Sequence, residues 1–251
     1  MTVADIVLLV SAGLLGGAVN AVAGGGSLIV FPALLATGFG TVAANVTNSV
    51  AQWPGYLGSV LGFRQELEGQ RGRLLALTLS AILGGTAGCV LLLTTPAEAF
   101  DAVVPVLVLL ASLLLAVQPL IAKVIAPPET GAPAKRVPLY LAIFVSSIYG
   151  GYFGGALGVI LIGVLALTIK DSLRRLNALK SALSLVVATV TVIAFGIFGP
   201  VDWLAVAIIA PSTLIGGFLG ARVARRLNDT VLRWCVVVFG VAVAIYLLVT
   251  S

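Results

Sequence analysis

Apolar residues fill this chain in long uninterrupted runs, over roughly 3–22, 26–38, 41–62, 73–95, 99–122, 138–152, 155–169, 173–199, 203–222 and 230–250. Runs of this length without alternation predict membrane-crossing or membrane-buried helices. They exclude a β-barrel, whose strands alternate apolar and polar positions. Polar positions break the pattern on one face only. Asn45, Asn48, Ser49 and Gln52 stand at i, i+3, i+4 and i+7 of the third run, which places them on one side of a helix.

That face is repeated. At a spacing of 132 residues, Asn45 becomes Asn177, Asn48 becomes Lys180, Ser49 becomes Ser181 and Gln52 becomes Ser184. The same spacing carries Phe63 onto Phe195 and the glycines 84, 85 and 88 onto 216, 217 and 220. The ten runs therefore divide five and five, into a first membrane repeat (1–122), a linker (123–137) and a second repeat (138–251). The linker is marked by prolines and the charges Lys123, Glu129, Lys135 and Arg136.

Composition fixes the class. Of 251 residues, 60% are hydrophobic and 9% charged, with a mean hydropathy of +1.19. A water-soluble domain carries about 25% charged residues, so the expectation is an all-α polytopic protein in contact with a lipid bilayer. The net charge of +5 does not point to nucleic acid, because the basic residues are dispersed among short loops. Cys89 and Cys235 fall in apolar runs and form neither a disulfide framework nor a metal site. Ala21-Val22-Ala23 has the look of a signal-peptidase site, but no Lys or Arg precedes it and its glycine-rich surroundings recur, so it is read as mature sequence.

The dispersed charges mark topology. Arg64, Arg71 and Arg73, then Lys123, Lys135 and Arg136, then Lys170, Arg174 and Arg175, then Arg222, Arg225, Arg226 and Arg233 define four cytoplasmic loops. Loops around Glu98–Asp101 and Asp202 lack Lys and Arg and face outward. Equivalent loops of the two repeats thus fall on opposite sides, which predicts inverted topology with both termini extracytoplasmic. Because 136 and 170 share one side, 138–169 must enter and return. Its arms of about 15 residues reach about 22 Å, short of the ~30 Å core. Each repeat is accordingly expected to be a glycine-turned helical hairpin plus three spanning helices.

The first hairpin turns at Asn20 to Ser27, where Gly24, Gly25 and Gly26 weaken a helix by about 1 kcal/mol each. A helix restarting at Ser27 would present free N–H groups and a positive dipole end to an anion. The second turns at Gly150 to Gly158, through Gly154, Gly155 and Gly158. Aligning Gly17 and Gly24 with Gly151 and Gly158 spaces the hairpins by 134 residues. Two readings stand for these glycines: close helix packing alone, or packing with a ligand-facing turn. For Gly84, Gly88, Gly216 and Gly220, packing alone is expected.

Buried amides and hydroxyls need partners or a hydrated cavity, which makes Asn45, Thr47, Asn48, Gln52, Asn177, Lys180 and Ser181 candidate site residues. Lys180 has two readings: contact with an anion, or snorkelling toward the interface near Arg174. Pro54 is expected to kink its helix and free a carbonyl. No Asp, Glu or His lies mid-span and no phosphate-binding loop occurs, so neither a carboxylate proton relay nor nucleotide hydrolysis is expected. The lack of His also excludes a Ser-His protease, an H-E-x-x-H metalloprotease and a His-dependent acyltransferase, so no enzyme and no cofactor are expected.

Gly24-Gly25-Gly26-Ser27-Leu28, Phe31-Pro32-Ala33-Leu34-Leu35 and Ala44-Asn45-Val46-Thr47-Asn48, with Gly154-Gly155-x-x-Gly158 and Asn177-Ala178-Leu179-Lys180, resemble the TauE/SafE family of anion transporters. The resemblance spans almost the whole chain. It implies a multi-pass protein of the bacterial cytoplasmic (inner) membrane that carries sulfite, organosulfonate or a similar small sulfur-containing anion. An alternating-access carrier is the leading expectation; an anion channel or a non-transporting membrane subunit are the alternatives. A homo-oligomer is compatible with it. The second turn departs from the first in lacking a triple glycine.

Overall fold

The computed structural model describes residues 1–124, 136–223 and 229–250, with side chains placed outside 118–136, 223–233 and 250. Residues 125–135, most of the expected linker, and Arg225 and Arg226 lie outside the described residues, as does the side chain of Arg233. Every described element is helical: α1 (Val3–Val22), α2 (Ser27–Ala36), α3 (Thr41–Ala51), α4 (Trp53–Gly62), α5 (Arg71–Thr94), α6 (Ala97–Val124), α7 (Arg136–Tyr152), α8 (Leu157–Thr168), α9 (Leu173–Phe198), α10 (Trp203–Val223) and α11 (Asp229–Thr250). Five of them, α1, α5, α6, α9 and α10, contain stretches long and apolar enough to cross a membrane.

The run expected over 41–62 is two helices, not one. Gln52 ends α3 and caps α4, with Pro54 in the first turn of α4. Proline has no N–H to continue the ladder and disfavours helical backbone in the residue before it. The hydroxyl of Thr213, on α10, donates to the Ala51 carbonyl at the break (2.8 Å). The hairpins are also less even than expected. The arms of the first hold 20 and 10 residues, those of the second 17 and 12. At 1.5 Å per residue α1 is roughly 30 Å long and α2 only about 15 Å.

The outside is oily. Leu75, Leu79 and Leu83 on α5, Ile193 and Ile197 on α9, and Leu204, Ile215 and Leu219 on α10 are all exposed. The polar side chains Asn20, Asn45, Asn48, Gln52, Lys180 and Ser184 are buried. This reverses the arrangement of a protein in water and suits one embedded in lipid. The chain is a multi-pass membrane protein.

Glycines set the closest crossings. A side chain on Gly216 would strike the Leu14 carbonyl, and one on Gly84 the Phe144 carbonyl. Gly220 lies on Ala18, Gly88 on Ile148. Thus α1 and α10 run parallel at contact distance, and α5 and α7 do the same. These contacts correct the hairpin spacing. Gly84 and Gly216 are 132 apart, but their partners Phe144 and Leu14 are 130 apart, as are Ile148 and Ala18. The backbone agrees: Gly24 (φ 88) and Gly154 (φ 75) share the left-handed conformation. Their N–H groups donate to the matching Val19 and Tyr149 carbonyls. Glycines recurring every four residues let spacings of 130 and 134 align equally well in sequence, and the backbone selects the former.

The helices bearing the two polar faces lie alongside each other. Gly199 packs on Val46, the Trp53 indole donates to Thr189 (2.9 Å) and the Gln70 amide donates to the Arg175 carbonyl (2.9 Å). Residue numbers rise along α3 and α4 as they fall along α9, so the pair is antiparallel.

Candidate functional site

The first turn is held by an asparagine. Asn20, in the last turn of α1, accepts the Gly26 N–H through Oδ1 (2.7 Å) and donates Nδ2 to Gln52 Oε1 (3.0 Å). The Tyr56 hydroxyl lies against the same side chain. A Cβ on Gly26 would come within 2.7 Å of Asn20 Cγ, so glycine is required there. Gly25 abuts Leu115. Ser27 opens α2 and is buried, and its N–H and that of Gly25 carry no hydrogen bond among the described residues.

At the second turn Gly150 replaces Asn20 and Leu157 replaces Ser27, and the Leu157 side chain packs on Gly150 in place of the asparagine. Gly155 is packed on the Phe153 ring. Ala156, the cap of α8, adopts a left-handed φ of 63°. The two turns touch: a Cβ on Gly24 would lie 2.6 Å from the Gly158 Cα. Phe31 and Phe153 meet edge to face beside them, with centroids 5.6 Å apart.

Around this crossing the polar residues divide by task. Asn45 donates Nδ2 to the Tyr152 carbonyl at the end of α7 (2.9 Å). Thr47 Oγ1 accepts the Asp202 N–H beyond α9 (3.0 Å). Lys180 is 1% exposed and donates Nζ to the Asn20 and Ala21 carbonyls at the end of α1, 3.1 Å each. The ammonium therefore does not snorkel. It neutralises the negative end of a helix dipole and satisfies carbonyls that lack helical donors. Ser181 donates to the Asn177 carbonyl one turn earlier (2.9 Å), a local bond, and Asn177 is half-buried.

A small interior cavity, about 20 Å³, lies between the turns and the two polar helices. Ser27, Ser49, Gln52, Tyr56, Gly154, Ser184 and Thr191 contribute to its wall. That volume holds about one water. Gln52 Nε2 and Ser184 Oγ are buried without a partner among the described residues, so two donors are uncommitted at its edge. Of the candidate site residues read from the sequence, Ser27, Gln52 and Gly154 line the cavity. Asn45, Thr47, Lys180, Gly24, Gly26 and Gly158 buttress the surrounding backbone. Asn48 has both amide atoms buried and unpartnered and lies outside the wall. Ser49, Ser184, Tyr56 and Thr191 were absent from the expected site. The signal for the last two was present: Tyr56 follows Ser49 by seven residues, and Thr191 follows Ser184 by seven.

The ends of the bundle differ. At one, Asp171 bridges Arg73 (2.5 Å) and Arg175 (3.1 Å), joining the start of α5 to the turn between α8 and α9. Burial alone would raise the Asp171 carboxyl, but hydrogen bonds from Arg73, the Ser172 N–H and Arg175 outweigh it and hold it below the ordinary carboxylate value. At the other end, Phe39, Thr41, Asp101, Phe198 and Pro200 line an open depression of about 790 Å³. Thr41 donates to Asp101 there.

Residues 9–247 match the profile of the protein family described as Sulfite exporter TauE/SafE. A probable membrane transporter protein of Haemophilus influenzae is 23% identical over 236 residues, covering 93% of this chain and 90% of the relative. The probable membrane transporter protein YfcA of Escherichia coli K12 is 24% identical over 218 residues, covering 85% of this chain and 77% of the relative.

Proposed function

From the premise that the chain belongs to the TauE/SafE family of membrane transporters, we propose that it is a secondary carrier of small sulfur-containing oxyanions. Sulfite or an organosulfonate would be moved by alternating access across a bacterial cytoplasmic membrane, with no catalytic chemistry of its own. The observation that carries this reading is the cavity between the two glycine turns, whose free polar atoms include amide and hydroxyl donors. A tetrahedral or pyramidal oxyanion accepts several short hydrogen bonds from such donors. The N–H groups of Gly25 and Ser27 at the start of α2 add the positive end of a helix dipole.

The cavity's present size favours an occluded state, so an anion is admitted only when the helices around it separate. Two further features support the carrier reading. The antiparallel course of α3 and α4 against α9 is the packing expected of halves related by inversion through the membrane. One end of the bundle is latched by Arg73, Asp171 and Arg175 while the other holds an open depression.

The test is uptake of labelled sulfite into proteoliposomes of the purified protein. Saturable uptake that accelerates with unlabelled sulfite inside supports a carrier. Unsaturated conductance replaces it with a channel, and no flux of sulfite or of any organosulfonate removes the substrate assignment.

A further inference from the structure

We propose that the C-terminal end of α7 binds a sodium ion, in the position that the Lys180 ammonium fills at the end of α1. The argument begins with the corrected spacing. Hairpin residues of the two halves correspond at 130, and those of α3 and α9 at 132. Asn20 and Ala21 therefore correspond to Gly150 and Gly151, and Lys180 corresponds to Asn48.

In the first pair the carbonyls of Asn20 and Ala21 accept from Lys180 at 3.1 Å each. In the second, the carbonyls of Gly150 and Gly151 accept no hydrogen bond among the described residues, because the Gly154 N–H turns to Tyr149 instead. Asn48, the counterpart of Lys180, is 1% exposed, and neither its Oδ1 nor its Nδ2 has a partner among the described residues. Asn45, three residues earlier on the same face, donates to the Tyr152 carbonyl and leaves its own Oδ1 unpartnered. That bond places this polar face at the end of α7.

A buried amide with both ends unmatched is costly and requires an occupant. The available groups are amide and carbonyl oxygens at the negative end of a helix dipole, a set that selects a hard cation. No group of three acidic, His or Cys side chains gathers anywhere among the described residues, so the site lacks the carboxylates a divalent ion demands. The chain has no His to hold a proton there. A monovalent ion with oxygen ligands remains, and sodium is the member that small carbonyl nests accommodate. One half would thus carry a covalently fixed cation and the other an exchangeable one. This gives the carrier a means of coupling to a sodium gradient. The sodium site itself follows from the helix-end geometry and stands whichever anion is carried.

The experiment uses the purified full-length protein in detergent, without any anion substrate, and compares melting temperature in sodium chloride and in equimolar choline chloride. The wild type should melt about 2–4 °C higher in saturating sodium. Asn48→Lys, which supplies the ammonium of the other half, should melt at the same temperature in both salts. Asn48→Ala, which needs no new charge to fold, should require at least tenfold more sodium for half the shift. Equal melting of the wild type in both salts overturns the proposal, as does an unaltered sodium response in Asn48→Ala. Because no anion is present, failure here leaves the sulfite assignment untouched, and a failed sulfite assay leaves this one untouched.

Discussion

Gly24 and Gly158 meet backbone to backbone: a Cβ built on Gly24 would lie 2.5 Å from the Gly158 carbonyl carbon and one on Gly158 2.6 Å from the Gly24 Cα. This contact is where the two hairpins cross, and it requires both residues to lack a side chain. Gly24 adds a left-handed φ of 88°. Gly24→Ala should therefore cost more than about 2 kcal/mol, from backbone strain and overpacking together. Gly163→Ala is the control. Nothing lies within 4 Å of that position in the middle of α8, so alanine should be neutral or stabilising by up to about 1 kcal/mol. Thermal unfolding of the two variants side by side checks the pair.

Removing Lys180 tests whether its ammonium is a structural cap. Lys180→Met keeps the length and loses the charge, leaving the Asn20 and Ala21 carbonyls without the donor each now has. The expected loss is about 3 kcal/mol, a drop in melting temperature of roughly 6–12 °C, even with no anion present. A Lys180→Met protein as stable as wild type, but with weakened anion affinity, would instead assign the residue to substrate contact.

Ser184 gives the opposite pattern. Its hydroxyl is buried at the cavity without a partner, so Ser184→Ala removes no hydrogen bond from the free protein. Stability should stay within about 1 kcal/mol of wild type. Anion affinity should fall roughly 10- to 100-fold, the worth of one hydrogen bond to a charged group. Half-saturation of sulfite uptake measures the second effect.

The latch at the ion-paired end should respond to acid. Asp171 is held below its ordinary pKa, so the stability it contributes is fully present above that ordinary value and is lost as pH falls through the lowered one. The closed end should loosen only below about pH 4. Asp171→Asn should loosen it at neutral pH by about 1 kcal/mol or less, because Arg73 and Arg175 are both partly exposed. The measurement is hydrogen exchange over 63–73 and 169–175, which should quicken up to roughly fivefold in that variant while the rest of the bundle stays unchanged.

Much of this fold is written in the hydropathy pattern, since nine of the ten apolar runs correspond to one helix each. The exception is the third run, which breaks at Gln52, the place that Pro54 marks. What the pattern does not separate is which side of a polar stripe meets a cavity and which meets backbone. Asn45 and Ser49 are one turn apart, yet one caps α7 and the other lines the cavity. Lys180 was ambiguous for the same reason. A lone cation in an apolar helix demands a partner, but only the assembled bundle reveals carbonyls of a helix 159 and 160 residues away in sequence. Tyr56 and Thr191 continue the polar stripes past Gln52 and Ser184, the residues at which the repeated polar face ends in the sequence reading.

Alternating access through one cavity is the central claim, and side-specific labelling at that cavity tests it most directly. In a protein freed of Cys89 and Cys235, Ser184→Cys is probed with a membrane-impermeant thiol reagent from each side of sealed vesicles. The account predicts labelling from one side or the other, with sulfite raising one and lowering the other. Labelling from both sides that sulfite leaves unchanged, or labelling from neither side in any condition, would contradict it.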